Sequence, residues 1–328
     1  MEWNNAKSSE NWMQGLSLGL LSVLLLDKTT KKNIIWATDG YATLGEGFAF
    51  CDEITIEAIT GRNKSVLKPR NKKTSEEQDS RSKDKAEIFT PSWICNKQNN
   101  LIDAAWFGRN DVFNREIDLG WISNTEKVIF PAAKGKTWQD YVKARRLEVS
   151  CGEAPYLCSR YDTVSGVMLP VKDRIGFLDR KLRIVTENVE SESDWVFWAK
   201  KAVQSIYGYE WQGDNVLLAR KNILFTFAEH YHEKFGVAPS DRYLLMIAKI
   251  AAWNIWQMDG IRFVVPNSCH LPEEQQVCLF DEIPEGACRG CLKNDHSRHN
   301  GIYCRTYDWS ANRSVSFYSL VKRGLRHE

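Results

Sequence analysis

The sequence predicts an abbreviated, doubly wound α/β fold preceded by a β-rich N-terminal lobe. Three segments lead to this prediction: an apolar strand with a Cys-Gly turn at 146–157, the strand IYGYE with a helical segment at 206–224, and the strand-like NIWQMDG at 254–260. A strand, a small-residue turn and a helix start form the βα unit in which backbone amides approach a bound ligand closely. We therefore expect parallel strands whose carboxyl ends meet at one edge of a sheet.

Residues 1–83 are expected to form the β-rich lobe. The apolar run at 16–26 is too short to span a bilayer, which needs about 20 residues, and it lacks the flanks of a signal peptide. We predict a buried strand here, paired across DKTTKKN with IIWATD, and a second such unit at EITIEAITG. The basic run at 62–85 is either a DNA contact or a solvated linker.

Residues 84–266 are expected to form the α/β core. A helix should begin near Pro91, with Trp93, Ile94 and Leu101 on its inner face. The stretch 111–140 is rich in turn signals, and an insertion at about 158–200 contains two helical patterns, RIGFLDRKLRIV and DWVFWAKKAVQSI. The longest predicted helix covers 214–235.

Composition narrows the classes of protein and partner. Hydrophobic residues make up 43% of the 328 residues and there are 13 tryptophans, which indicates a substantial core. The net charge is only +2, so a nucleic-acid contact must be local. Nine cysteines without a secretory signal predict a reducing, cytoplasmic compartment and no membrane partner. No Walker A, GxSxG, HExxH or kinase motif is present, which argues against those hydrolases and phosphoryl-transfer enzymes.

Three motifs follow the order found in one known family. LEVSCGEAPYL at 147–157 lies without a gap along a motif written LDPACGTGGFL, GYE at 208–210 with ARKNIL at 219–224 matches a second, and FTP at 89–91 precedes both. Residues 84–265 thus resemble the amino-methylating DNA methyltransferases of restriction–modification systems, especially type I modification subunits. The resemblance implies a Rossmann-like core that binds S-adenosylmethionine, adenine-N6 methylation of DNA, and a specificity or restriction subunit as partner.

The resemblance also implies which residues line the cofactor. Glu210 would clamp the ribose and Asp259 would contact the adenine. Gly152 would permit a tight turn, and the amides of Glu153 and Ala154 would face the methionine part. The complete expected set is Phe89, Thr90, Glu148, Cys151, Gly152, Glu153, Glu210 and Asp259. The alternative for each acidic residue is a solvated position in a turn at a strand end.

The sequence departs from the family where catalysis is concerned. The tetrapeptide (D/N/S)PP(Y/F/W), which holds the flipped base and its amino group, is absent. The nearest substitute is Tyr307-Asp308-Trp309, so Asp308 and Trp309 are the candidate catalytic pair. Ala154 and Pro155 also replace family glycines and would narrow the pocket. The alternative function is a catalytically inactive subunit of the same fold that binds DNA or RNA.

The tail, residues 267–328, contains a possible zinc knuckle. Two cysteines two residues apart can hold one side of a tetrahedral zinc, and a following His and Cys can complete it. The expected ligands are Cys288, Cys291, His296 and Cys304, with His299, Cys269, His270 and Cys278 as alternatives. Basic neighbours would then face a phosphate backbone. The alternative is a pair of reduced cysteines in a loop.

Overall fold

The computed structural model describes residues 16–69, 72–73, 90–269 and 287–324. Its helices are α1 (Leu18–Leu25), α2 (Ile56–Ile59), α3 (Ser92–Phe107), α4 (Trp138–Lys143), α5 (Phe177–Asn188), α6 (Glu192–Gln204), α7 (Gly213–Phe235), α8 (Asp241–Asn254), α9 (Arg289–Lys293) and α10 (Phe317–Gly324). Its strands are β1 (Asn114–Ile117), β2 (Gly120–Ser123), β3 (Arg146–Val149), β4 (Ile206–Glu210), β5 (Ile255–Gln257), β6 (Arg305–Asp308) and β7 (Arg313–Ser316).

A parallel sheet in the order β3-β4-β5 lies at the centre. Leu147 pairs with Tyr207, and Gly208 pairs with Ile255. Parallel neighbours need a crossover connection, which α5 and α6 supply between β3 and β4, and α7 and α8 between β4 and β5. Three strands are fewer than a doubly wound sheet contains, so that fold class stays a prediction.

The two faces of the sheet are covered by different parts of the chain. Ile206 belongs to the large hydrophobic core that includes the helices, whereas Tyr209 belongs to a smaller cluster on the other face. There the Tyr209 ring lies 5.9 Å from that of Trp256 and 5.7 Å from that of Phe317, measured between centroids. This alternation follows the period of two in a β-strand. The C-terminal residues therefore pack against β4 and β5.

The prediction of a β-rich N-terminal lobe is wrong for the described residues. The run at 16–26 forms α1, capped by Ser17 and packed against α8 and α7, and the second predicted unit contains the short helix α2. Between residues 16 and 69 the only β pairing consists of isolated bridges, such as the one between Leu26 and Asn33. Buried leucines of α1 share the large core with α7 and α8, so no separate lobe ends at residue 83.

The helix after Pro91 is confirmed, but its predicted inner face is wrong at Leu101, while Trp93 and Ile94 are half-buried. Leu101 is 66% exposed, while Asn96 and Asp103 are buried. The reason is the guanidinium of Arg180 on α5, which lies 2.6 Å from the Asp103 carboxylate and donates to Asn96 at 2.9 Å. A buried cation requires such polar partners.

The predicted helices near 174–185, 194–206 and 214–235 are confirmed as α5, α6 and α7. The loop-rich stretch 111–140 contains the β1-β2 hairpin and the start of α4. Across the ranges that the structure describes, no helix combines the length and apolar character needed to cross a membrane.

Candidate metal centre and sheet edge

Glu210 and the loop at 151–155 lie side by side at the carboxyl edge of the parallel sheet. The Gly152 amide donates to Glu210 Oε2 at 2.9 Å, and the Gln212 amide donates to Oε1 at 3.2 Å. The sequence predicted this proximity. It did not predict that the Gly152 amide would bind the expected ribose clamp, or that the Ala154 amide, expected to face the cofactor, would donate to the Cys151 carbonyl at 2.7 Å.

Glu148 closes a turn of its own chain. Its carboxyl oxygens accept hydrogen bonds from the amides of Tyr156 at 3.3 Å and Leu157 at 3.2 Å. Burial raises the pKa of Glu148 to about 8, and the two amides oppose this rise without cancelling it. Glu148 is therefore a mainly neutral side chain at pH 7, and both its oxygens are held by its own chain.

The other predicted cofactor residues are also engaged internally. Glu153 is buried and accepts a hydrogen bond from the Tyr161 hydroxyl. The Asp259 carboxylate accepts hydrogen bonds from the amides of Ile261 at 2.9 Å and Arg262 at 3.0 Å. Asp259 therefore caps the turn that follows it.

Two further residues of the predicted cofactor-binding set, Cys151 and Thr90, are also engaged within the chain. Cys151 is buried against the sheet, where its Sγ would lie 3.1 Å from a Cβ added at Gly208. The Thr90 carbonyl accepts from the Thr163 hydroxyl at 2.9 Å. Phe89 lies outside the described residues.

These contacts do not fit a cofactor held by free carboxylates. Glu148, Glu153, Glu210 and Asp259 each bind donors of this same chain, as described above. Binding of S-adenosylmethionine stays a prediction, and it requires Glu210 to release Gly152.

Asp308 and Trp309 lie at the opposite edge of the sheet. Asp308 is 3.2 Å from the guanidinium of Arg145, which directly precedes β3, and the Tyr207 hydroxyl donates to the Tyr307 carbonyl at 3.2 Å. At about 3.3 Å per strand residue, Arg145 and Gly152 are on the order of 20 Å apart. This placement contradicts the assignment of Asp308 and Trp309 as a catalytic pair beside the cofactor.

Both residues have structural roles instead. Asp308 accepts from the amides of Ser310 at 3.0 Å and Ala311 at 3.2 Å, and so caps the turn between β6 and β7. The Trp309 indole donates to Asn254 at 2.8 Å.

Four residues converge in the one cluster of potential metal ligands found among the described residues. The ligand atoms of Cys269, Cys288, Cys291 and His299 all lie within 4.8 Å of one another. His299 Nδ1 is 3.7, 3.4 and 3.5 Å from the three sulfur atoms in that order. A tetrahedral zinc, with Zn–S near 2.3 Å and Zn–N near 2.0 Å, places neighbouring S and N ligand atoms about 3.6 Å apart. The cluster thus has the dimensions of a Cys3His zinc site.

The local backbone explains why these side chains meet. The Asn300 amide donates to Cys288 Sγ at 3.4 Å, and the Gly290 amide donates to the Arg298 carbonyl at 3.1 Å. A Cβ at Gly290 would lie 2.7 Å from His299 Nδ1, and one at Gly301 would lie 2.8 Å from Cys269 Sγ. Both positions therefore need glycine for the ligands to converge.

The thiols differ in their readiness to ionise. Burial opposes ionisation of Cys288, but hydrogen bonds from the Asn300 and Cys291 amides and from His299 outweigh it and lower its pKa to about 6. Burial raises the pKa of Cys269 to about 12 and also raises that of Cys291. Burial, followed by the hydrogen bond with Cys288, thus opposes ionisation of Cys269 and Cys291, and a divalent cation would favour it.

Two residues of the predicted ligand set, Cys288 and Cys291, belong to the cluster. The other two, His296 and Cys304, do not. Cys304 is buried with its thiol 3.3 Å from the Gln257 carbonyl, and the His296 ring packs on Phe263 with centroids 5.5 Å apart. Cys269 and His299 take their places. The alternatives His270 and Cys278 lie outside the described residues.

The cluster joins two segments of the chain. Residues 263–265, which follow β5, pair with 302–304 through bonds such as Val265 amide to Ile302 carbonyl at 2.8 Å. Cys269 extends from the first segment, and the other three ligands belong to the second. A bound ion would therefore fasten the C-terminal residues to the central sheet.

A comparison with family models, curated proteins and solved structures finds no match to this chain.

Proposed function

We propose that the chain is a non-catalytic, zinc-containing subunit that binds nucleic acid through its C-terminal unit, residues 287–328. The convergence of three thiols on His299 Nδ1 at 3.4–3.7 Å is the observation that supports this most. Thiolate-rich tetrahedral sites favour zinc over harder divalent cations. Zinc would hold the C-terminal unit in place, and the unit would contact phosphate.

The distribution of charge supports a phosphate partner. The C-terminal unit has eight Lys and Arg against three Asp and Glu, a net charge of +5, whereas the whole chain has only +2. Arg289 and Lys293 are exposed on α9, directly beside two of the metal ligands, and neither forms an ion pair with a described residue. A local positive surface of this kind attracts a phosphate backbone independently of base sequence.

The catalytic alternative has less support. Asp308 lies at the wrong edge of the sheet, and no (D/N/S)PP(Y/F/W) sequence exists to replace it. In the basic run at 62–85, Lys73 is buried 3.3 Å from Asp214 and is therefore not exposed to a phosphate backbone, while residues 70–71 and 74–85 lie outside the described part. A cytoplasmic location and a specificity or restriction subunit as partner remain parts of the proposal.

Fluorescence anisotropy with labelled 30-mers of duplex DNA, single-stranded DNA and single-stranded RNA tests this function. We expect binding of at least one of them, with log K falling linearly as log salt rises, and loss of affinity after zinc chelation. Arg289→Glu with Lys293→Glu should reduce the magnitude of the salt slope by about 2, since each phosphate contact contributes about 0.9.

The matched control is Lys127→Glu with Lys134→Glu, which changes two exposed cations outside the C-terminal unit. This control should keep the wild-type slope. Absence of salt-sensitive binding by the zinc-loaded protein would refute the nucleic-acid function.

A second candidate is binding of S-adenosylmethionine, which the position of Glu210 beside the 151–155 loop at the carboxyl edge of the sheet supports, although the Gly152–Glu210 hydrogen bond would have to break first. Isothermal titration of the wild type and of Glu210→Ala checks it. Heat of binding in the wild type alone is the expected result, and the absence of heat in both proteins would remove this candidate.

A further inference from the structure

A groove of about 680 Å³ runs between α6 and α8. Its apolar lining includes Val196 and Phe197 from α6, Met246 and Ile250 from α8, and Trp309 from the turn between β6 and β7. Phe197 is 51% exposed although its ring is large and apolar. An exposed apolar patch in a concave setting is typical of an interaction site.

The charged groups on this groove all have one sign. Lys200, Arg242 and Lys249 line it, and no Asp or Glu of the described residues does. None of the three cations forms an ion pair within the described part of the chain. A partner with acidic residues would therefore find three cations that are not already neutralised.

We propose that this groove binds an acidic amphipathic helix of a partner protein. Two packed helices offer a channel into which a third helix can lay its apolar face, with anchors at positions i, i+3, i+4 and i+7. Acidic residues on the flanks of that helix would meet Lys200, Arg242 and Lys249.

The aliphatic part of the lining favours a helix over a nucleic acid. Bases stack on flat aromatic faces, and Phe197, Tyr243 and Trp309 offer such faces. The groove also presents branched or flexible aliphatic groups, which suit the apolar face of a helix: Val196, Leu245, Met246 and Ile250. Methionine adapts its shape to a partner surface and is common where helices dock. The groove is thus a protein-docking surface separate from the C-terminal cations proposed above to contact phosphate, and the two proposals can fail independently.

The test uses three labelled synthetic 20-residue peptides and the full-length protein in fluorescence anisotropy. The first peptide has Leu and Phe at i, i+3, i+4 and i+7 and Glu elsewhere, the second has the same composition in scrambled order, and the third has Lys in place of Glu. We expect the first to bind at least about tenfold more tightly than the other two, a difference of about 1.4 kcal/mol.

Variants locate the site and the charge contribution. Phe197→Ala, at an exposed position that should not disturb folding, and the triple change of Lys200, Arg242 and Lys249 to Glu should each weaken binding of the acidic peptide about tenfold. The triple variant should instead prefer the Lys peptide, which an unfolded protein would not do. Lys127→Glu with Lys134→Glu is the control and should bind like the wild type.

Three results would overturn the proposal. One is equal binding of the ordered and scrambled acidic peptides. Another is binding of a single-stranded oligonucleotide that the same groove variants abolish, because the groove would then take nucleic acid. The last is concentration-dependent self-association in sedimentation equilibrium that Phe197→Ala removes, because the occupant would then be a second copy of this chain.

Discussion

Replacing Glu148 by glutamine is expected to stabilise the protein at pH 8. The carboxyl group is buried beside the amides of Tyr156 and Leu157, and its pKa is raised to about 8. Glutamine has nearly the same shape and cannot ionise. The Tyr156 and Leu157 amides donate to different carboxyl oxygens, so glutamine keeps one of these two hydrogen bonds and loses the other.

The magnitude follows from proton linkage. A carboxyl whose pKa is higher in the folded state than the ordinary 4.5 of Glu contributes its full stability below pH 4.5 and loses it as pH rises towards 8. The loss is about 1.4 kcal/mol per pH unit, so it reaches at most about 3 kcal/mol at pH 7 and about 5 kcal/mol at pH 8. Glu148→Gln removes this dependence but loses one buried hydrogen bond, which costs about 1–3 kcal/mol, so it should exceed the wild type in stability by about 2–4 kcal/mol at pH 8.

Urea unfolding of both proteins at pH 5, 6, 7 and 8 checks this expectation. The free energy of unfolding of Glu148→Gln minus that of the wild type should rise with each step in pH. Glu46→Gln, at an exposed loop position, is the control and should stay within about 0.5 kcal/mol of the wild type. A Glu148→Gln variant that is less stable at pH 8, or a difference that does not change with pH, would refute a buried, neutral Glu148.

Two other sets of substitutions test the packing of the core by urea unfolding. Gly213→Ala should destabilise by about 3 kcal/mol, because its Cβ would lie 2.0 Å from the Ile35 carbonyl oxygen. Gly19→Ala lies in α1, where the nearest atom to the added Cβ is 4.0 Å away, and should instead stabilise the protein by about 0.5–1 kcal/mol. Changes in stability of the same sign for both variants would contradict this packing. Arg180→Met should cost about 3–5 kcal/mol by removing the closest cation from the buried Asp103, whose next cation, Arg146, is 4.0 Å away. Adding Asp103→Asn should recover part of that loss, and no recovery would argue against the pair.

Local patterns were sufficient to predict β3, β4 and α7. β4 has an aromatic-rich run with a clear start and end, and α7 continues an apolar pattern over 23 residues. The 16–26 run was ambiguous because a short leucine-rich segment suits a buried strand and a buried helix equally by periodicity. Ser17, a helix cap, and the high helix propensity of leucine were the signals that favour α1.

Contacts between distant residues could not be predicted. The polar inner face of α3 depends on Arg180, which lies more than seventy positions further along the chain. The spacing of Cys288 and Cys291 predicted half of the metal cluster, but spacing alone did not distinguish His299 from His296. Nor did the strand-end position of Glu210 indicate that its carboxylate would bind Gly152.

Zinc content of the purified protein tests the central claim most directly. Inductively coupled plasma mass spectrometry should give one zinc per chain for the wild type and for His296→Ala and Cys304→Ala, and close to none for His299→Ala and Cys269→Ser. Zinc that survives the loss of His299, or a wild-type protein without zinc after purification in zinc-supplemented buffer, would contradict the metal centre.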